Sequence, residues 1–150
     1  MNIYLTFDTG LDLNKFKKNR YKAQYWLDNE VMNDIVPYMP RVTGTFINMT
    51  RMKSAALAGT GLVCIGSAPM GQYLYFGKVM VDSVTGKGAR PITLKSGEVI
   101  FRHRYGAKLV ATGRNLTWSD PNTHPRWFEY SVEINKAKWL KGFTEILLNG

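Results

Sequence analysis

Apolar residues recur at helical spacing in two long stretches of the chain and at strand-like spacing in several short ones. Asn2 to Phe7 alternates, with Ile3, Leu5 and Phe7 on one side, the pattern of a short half-buried strand that Thr9-Gly10 ends. From Leu13 to Ile35, the residues Leu13, Phe16, Ala23, Leu27, Val31 and Ile35 line one face of a helix, with Asp12 as its N-cap. Arg20 interrupts that stripe, and its aliphatic stem is expected to cross the apolar face. Pro37 stops the helix because the residue before a proline avoids the α conformation, and Pro37 with Pro40 holds an extended bend. Thr43-Gly44-Thr45 reads as a turn, Thr45 to Met52 as a strand, and Ser54 to Thr60 as a small-residue, flexible link. The run Leu62-Val63-Cys64-Ile65, inside Gly61 to Gly66, fits a central strand.

Ala68-Pro69 opens a short helix through Gln72, Tyr73, Leu74, Tyr75 and Phe76, and Gly77 is its natural stop. Lys78 to Gly97 is least like core, with Thr85-Gly86-Lys87-Gly88, Arg90-Pro91 and Ser96-Gly97 and few apolar anchors after Val81. A loop of this length in a compact domain is usually functional. Glu98 to Arg104 and Ala107 to Thr112 predict a hairpin about Tyr105-Gly106. Pro125 opens a last helix with the stripe Phe128, Val132, Trp139, Phe143 and Ile146, ending at Asn149-Gly150. This order predicts an α+β fold in a single domain over 1–150. Two long helices pack on a mainly antiparallel sheet, with a short helix and a long loop at about 78–97.

Composition narrows the class. With 150 residues, 45% of them hydrophobic and 13% aromatic, the chain can bury a core and is too apolar for a disordered segment. No apolar run approaches the roughly 18 residues of a membrane span. The first residues lack the basic patch and apolar stretch of a signal peptide. The single cysteine, Cys64, makes no intramolecular disulfide and fits synthesis in a reducing cytoplasm. A net charge of +9 is the outlier and favours polyanions or acidic partner surfaces. The surplus falls in three groups: Lys15 to Lys22, then Arg102, Arg104 and Lys108, then Lys136, Lys138 and Lys141.

Candidate chemistry is sparse. His103, His124 and Cys64 are scattered without zinc-site spacing, so neither a metal nor another cofactor is expected. His124 falls at the start of the last helix and His103 between two arginines on a strand, a surface position. Cys64 lies in an apolar run and reads as a small buried hydrophobe rather than a nucleophile. Asp28 and Glu30 point to different helix faces, and no close carboxylate pair emerges for acid–base work. Gly59-Thr60-Gly61 and Gly86-Lys87-Gly88 lack the spacing of a phosphate loop and are better read as turns. These readings predict a protein that is not an enzyme. The aromatics crowd two places, Tyr73, Tyr75 and Phe76 on the short helix and Trp118, Trp127 and Trp139 near the C-terminus. Trp139 suits the core, and exposed members suit subunit contacts.

Four stretches, in order, carry a resemblance: Lys22-Ala23-Gln24-Tyr25-Trp26-Leu27 through Pro37-Tyr38-Met39-Pro40; Val42-Thr43-Gly44-Thr45-Phe46; Tyr73-Leu74-Tyr75-Phe76-Gly77-Lys78-Val79-Met80-Val81-Asp82; and His124-Pro125-Arg126-Trp127-Phe128-Glu129. In them the chain resembles the minor capsid, neck and tail-completion (head–tail joining) proteins of long-tailed bacteriophages. Ser83-Val84-Thr85-Gly86 departs from the proline-containing turn more usual there. The resemblance implies a structural subunit of a head–tail connector, a homo-oligomeric ring that joins the DNA-filled head to the tail and surrounds the DNA channel. The implied partners are other neck proteins on the head-closure, tail-terminator or tail-tube side, and passing double-stranded DNA held by non-specific contact, with no membrane. The implied location is the virion, at the head–tail junction, after synthesis in the host cytoplasm.

On this reading Tyr73, Tyr75, Phe76, Lys78, Met80, Lys87 and Arg90 form the oligomer interface, and Arg102, Arg104 and Lys108 face nucleic acid. The alternatives are a tail terminator or head-closure protein of the same connector, or a basic nucleic-acid-binding module that uses those cations beside aromatics.

Overall fold

A computed structural model describes residues 13–41, 44–67 and 71–150. The expected strand at 2–7, the Asp12 cap, Thr43 and the Ala68-Pro69 opening lie outside the described residues. In chain order the elements are α1 (Leu13–Ile35), a 3-10 turn (Val36–Tyr38), α2 (Thr45–Leu57), α3 (Gly71–Phe76), β1 (Lys78–Asp82), β2 (Arg90–Thr93), β3 (Val99–Arg102), β4 (Leu109–Asn115) and α4 (Trp127–Asn149). The architecture is α+β, with helices and antiparallel strands in one compact domain.

The α1 and α4 helices form the backbone of the molecule, packed along each other in opposite directions. On one side they seal tightly. The outer edge of the Trp26 six-membered ring abuts Gly142, where any Cβ would collide with it. Further along, the Lys138 ammonium sits 3.0 Å from Glu30 and 2.8 Å from Asp34, and the Trp139 indole N–H donates to Asp34 at 2.7 Å. Glu30 and Asp34 are thus a convergent carboxylate pair one helical turn apart, which the sequence reading did not expect. They are joined by a cation from the facing helix.

The core gathers where α1 runs out. Ile35, Val36 and Met39 meet Ile47 of α2 and Trp127 at the start of α4. Trp127 is fully buried, its N–H donates to the Ile65 carbonyl at 2.8 Å, and the Tyr75 ring meets it edge-on at 4.9 Å. Of the predicted α1 stripe, Ala23, Val31 and Ile35 are buried and Leu27 is half-buried, whereas Leu13 and Phe16 are exposed. Arg20 stays exposed, and Asn19 takes the buried position beside the end of α4, donating to the Leu147 carbonyl.

Several expectations are corrected. Residues 45–57 are helix, not a strand and a flexible link. Ile47, Thr50 and Ser54 are buried at i, i+3 and i+7, and the Thr50 hydroxyl donates back to the Phe46 carbonyl. Gly61 to Gly66 is irregular rather than a central strand, because side chains satisfy its backbone. Asp28 accepts the Gly59 and Gly61 amides at 2.8 and 3.0 Å, and Ser54 both donates to the Cys64 carbonyl and accepts its N–H. Cys64 is half-buried there. The stretch expected as a long loop at 78–97 holds two strands. β1 carries buried Val81 and Asp82 and pairs antiparallel with β4, with a bulge between Lys78 and Met80. β2 pairs with β3. The predicted 98–112 hairpin does not form. Its turn at Tyr105-Gly106 exists, with the Ala107 N–H on the Arg104 carbonyl, but its two sides belong to different ladders.

Candidate functional site

Between β1 and β4 the chain leaves the body as an arm, residues 83–108, in which β2 and β3 make a two-stranded ribbon packed mainly on each other among the described elements. Its root is organised by one carboxylate. The Asp82 side chain is almost fully buried, yet Arg104 donates to it through Nε at 2.9 Å and Nη2 at 3.4 Å. The Val84 amide donates to Oδ1 at 2.8 Å, and the Asp82 backbone bonds Lys87 and Gly86. The Arg104 hydrogen bonds, then the Val84 amide, hold the Asp82 carboxyl at about 2, below its ordinary 3.8. Asp82 in turn raises the Arg104 guanidinium. Beside the root, His103 is half-buried rather than on the surface, its Nδ1 shielded without a hydrogen-bond partner.

The ribbon register puts Pro91 opposite Phe101 and Thr93 opposite Val99 on one face, and Arg90 opposite Arg102 and Ile92 opposite Ile100 on the other. Among the described residues neither face has a sheet or helix over it. Phe101 is 70% exposed and Val99 54%. The arm carries Lys87, Arg90, Lys95, Arg102, Arg104 and Lys108 against Glu98 as its one acid. It is basic along its length and apolar on both faces.

The residues assigned to an oligomer interface divide. Lys87 and Arg90 are exposed on the arm. The others are engaged within the chain. Tyr73 donates to the Leu109 carbonyl, Lys78 bonds Asn115, Met80 is half-buried in the β1–β4 ladder, and Tyr75 packs on Trp127. Burial also raises the Tyr75 hydroxyl above its ordinary value. Phe76 is half exposed with the Arg126 guanidinium over its ring at 5.5 Å. Of the cations assigned to nucleic acid, Arg102 and Lys108 are exposed on the arm, whereas Arg104 is held by Asp82. The exposed apolar residues Ile92, Val99 and Phe101 were not singled out by the sequence reading. Their signal is two β-branched runs either side of Lys95-Ser96-Gly97, a hairpin with a glycine-containing loop.

A second apolar surface that no described element covers lies on the body. Opposite the Trp26–Gly142 seam, α1 and α4 diverge into an open trough of about 430 Å³ lined by Leu27, Val31, Phe128, Val132, Trp139 and Phe143. It continues past Val63 and Ile65. Glu129 and Glu133, both exposed, line a separate hollow with His124, Arg126 and Tyr130, where Arg126 pairs with Glu129 at 3.3 Å, and Lys136 is the charged residue of the trough itself. His124, expected near the start of the last helix, stacks on Tyr130 at 4.1 Å. No described helix is long and apolar enough to cross a membrane. Comparison of the chain with protein-family models, with curated proteins and with solved structures finds no match.

Proposed function

We propose that the chain is a structural, non-catalytic subunit of the head–tail connector of a long-tailed bacteriophage. It works as one copy of a ring around the DNA channel and docks on other neck proteins. The observation that carries this reading is the arm. An isolated two-stranded ribbon is marginal in water, and one with apolar side chains on both faces gains its stability from a neighbouring surface. A subunit of this kind is complete only in its assembly, and a head-to-tail contact that closes by rotation gives a ring. The ordered resemblance of four stretches to neck and tail-completion proteins supplies the setting. The basic arm suits a channel through which DNA passes, because phosphate attraction is independent of sequence.

The test is electron microscopy of lysates of the source phage with this gene disrupted. DNA-filled heads beside separate, complete tails are expected, and intact infectious particles would remove the reading. The exposed Arg90 and Arg102 pair on one ribbon face favours a second reading, a nucleic-acid-binding module. It requires the isolated chain to retard DNA or RNA at low salt, with a steep loss as salt rises.

A further inference from the structure

We infer that the root of the arm is a phosphate clamp for double-stranded nucleic acid, formed by Lys87, Arg90, Arg102 and Lys108. This deepens the nucleic-acid side of the proposed function and rests on it. The fold brings the four together from both sides of the arm. The Lys87 carbonyl accepts the Asp82 N–H and the Lys108 carbonyl accepts the Ser83 N–H, so both lysines flank the point where the chain leaves β1. Arg90 and Arg102 stand opposite each other in the ribbon's first rung beyond them. All four are exposed, and none is in an ion pair among the described residues. The acid nearest the root is already spent, because Asp82 is buried under Arg104. Glu98, the one acid of the arm, lies in the far turn with Lys95. Four residues of strand put it about 13 Å from Arg102, beyond the ~8 Å over which exposed charges act at physiological salt.

Like charges directly opposite in a ladder destabilise it. The neighbours of the arginine pair on its own face are Ile92 and Ile100, which bring no acid to offset the repulsion. A phosphate between the two guanidinium groups turns that repulsion into attraction. A duplex suits this face better than a single strand. The one aromatic of the two strands, Phe101, is on the opposite face, so the arginine face has no ring on which an unpaired base could stack. A two-stranded ribbon is also narrow enough to enter the roughly 12 Å major groove of a duplex. The α1 helix carries more cations, but helical spacing sends Lys17 and Arg20 to the side away from Lys15 and Lys22. They do not make one face.

The test is fluorescence anisotropy of the full chain with a labelled duplex of random sequence over a series of salt concentrations. Four phosphate contacts predict that log K falls against log salt with a slope of about −3.6. Arg90→Gln combined with Arg102→Gln should flatten the slope to about −1.8 and weaken binding at low salt at least ~10-fold. The same pair should slow amide exchange in the free ribbon, because the repulsion across the rung is gone. Weaker binding from a steadier ribbon separates a contact role from a structural one. Faster exchange in that variant overturns the proposal, since the arginines would then be holding the ribbon. Lys15→Gln with Lys22→Gln removes the same charge from one face of α1 and should leave the slope unchanged. An equal loss from the α1 pair overturns the proposal, because net charge alone would then be the binder. Binding as tight to a single strand, or to polyglutamate of equal charge, overturns it too. Duplex binding that the arginine pair does not affect removes the clamp and keeps the nucleic-acid module. No duplex binding at the lowest salt removes both, and the connector is decided separately by the phage particles.

Discussion

The helical body and the hairpin arm solve the same problem in opposite ways. Around Trp127 the polar groups brought inside are paired, from the indole N–H on Ile65 to the Asp28 carboxylate under the Gly59 and Gly61 amides. On the ribbon the hydrogen bonds between strands are made, but Phe101 and Val99 are left to solvent. Backbone pairing alone therefore shapes an arm, whereas covered side chains stabilise a body.

If that division is right, substitutions in the body should cost far more than substitutions on the arm. The largest effect is expected from Trp127→Ala, which empties the fully buried centre and orphans the Ile65 carbonyl. It should lower unfolding free energy by about 3–5 kcal/mol in urea denaturation. Asp28→Asn should follow, because Oδ2 accepts both glycine amides and Oδ1 accepts the Gln24 side-chain N–H, so the new amide N–H must face one of those donors. A loss of about 1–3 kcal/mol is expected by the same measurement. Gly142→Ala pushes a methyl into the Trp26 ring and should cost about 1–3 kcal/mol, with a change in Trp fluorescence reporting the displaced indole.

On the arm, Ile92→Ser in the dilute monomer should stay within about 0.5 kcal/mol of the parent. A larger loss there would erase the contrast. The smallest effect is local and set by pH. The Asp82 carboxyl is held at about 2 against an ordinary 3.8, so the root tie is complete above that ordinary value and is lost as pH falls through about 2. Amide exchange at Val84 should accelerate across that window, while amides inside α4 stay protected. Opening of both at one pH would show that root and body unfold as a unit.

The long helices were legible in the sequence because 23 residues of 3.6-residue periodicity outweigh local noise. Leu13–Ile35 and the last helix fall where the spacing puts them. The α2 region misled because Thr45, Phe46, Ile47 and Thr50 favour strands individually. What decides is that Ile47, Thr50 and Ser54 share a helical face against α1. The stretch at 61–66 has the composition of a buried strand, but Asp28, Ser54 and Trp127 supply its hydrogen bonds from far along the chain, and no local pattern reports that. Strand pairing was the hardest to read. The runs at 90–93, 99–102 and 109–115 were partly visible. Their register depended on Asp82, whose partner Arg104 is 22 residues away. Of the expected site residues, the exposed cations Lys87, Arg90, Arg102 and Lys108 lie together on the arm, and the tyrosines went to the body because burial claimed them.

The attachment of the arm also decides how it answers to force. Both of its ends enter the β1–β4 ladder at the same place, the Asp82–Leu109 pair, with the Ser83 amide tied to the Lys108 carbonyl just outside it. A pull on the arm loads the ladder from that end alone, one rung at a time, as a zipper opens, and the Arg104 guanidinium on Asp82 takes the strain first. Of the helices, α3 touches the loaded end, through the Tyr73 hydroxyl on the Leu109 carbonyl. Traction on the arm would therefore lengthen it before it disturbed the α1–α4 core.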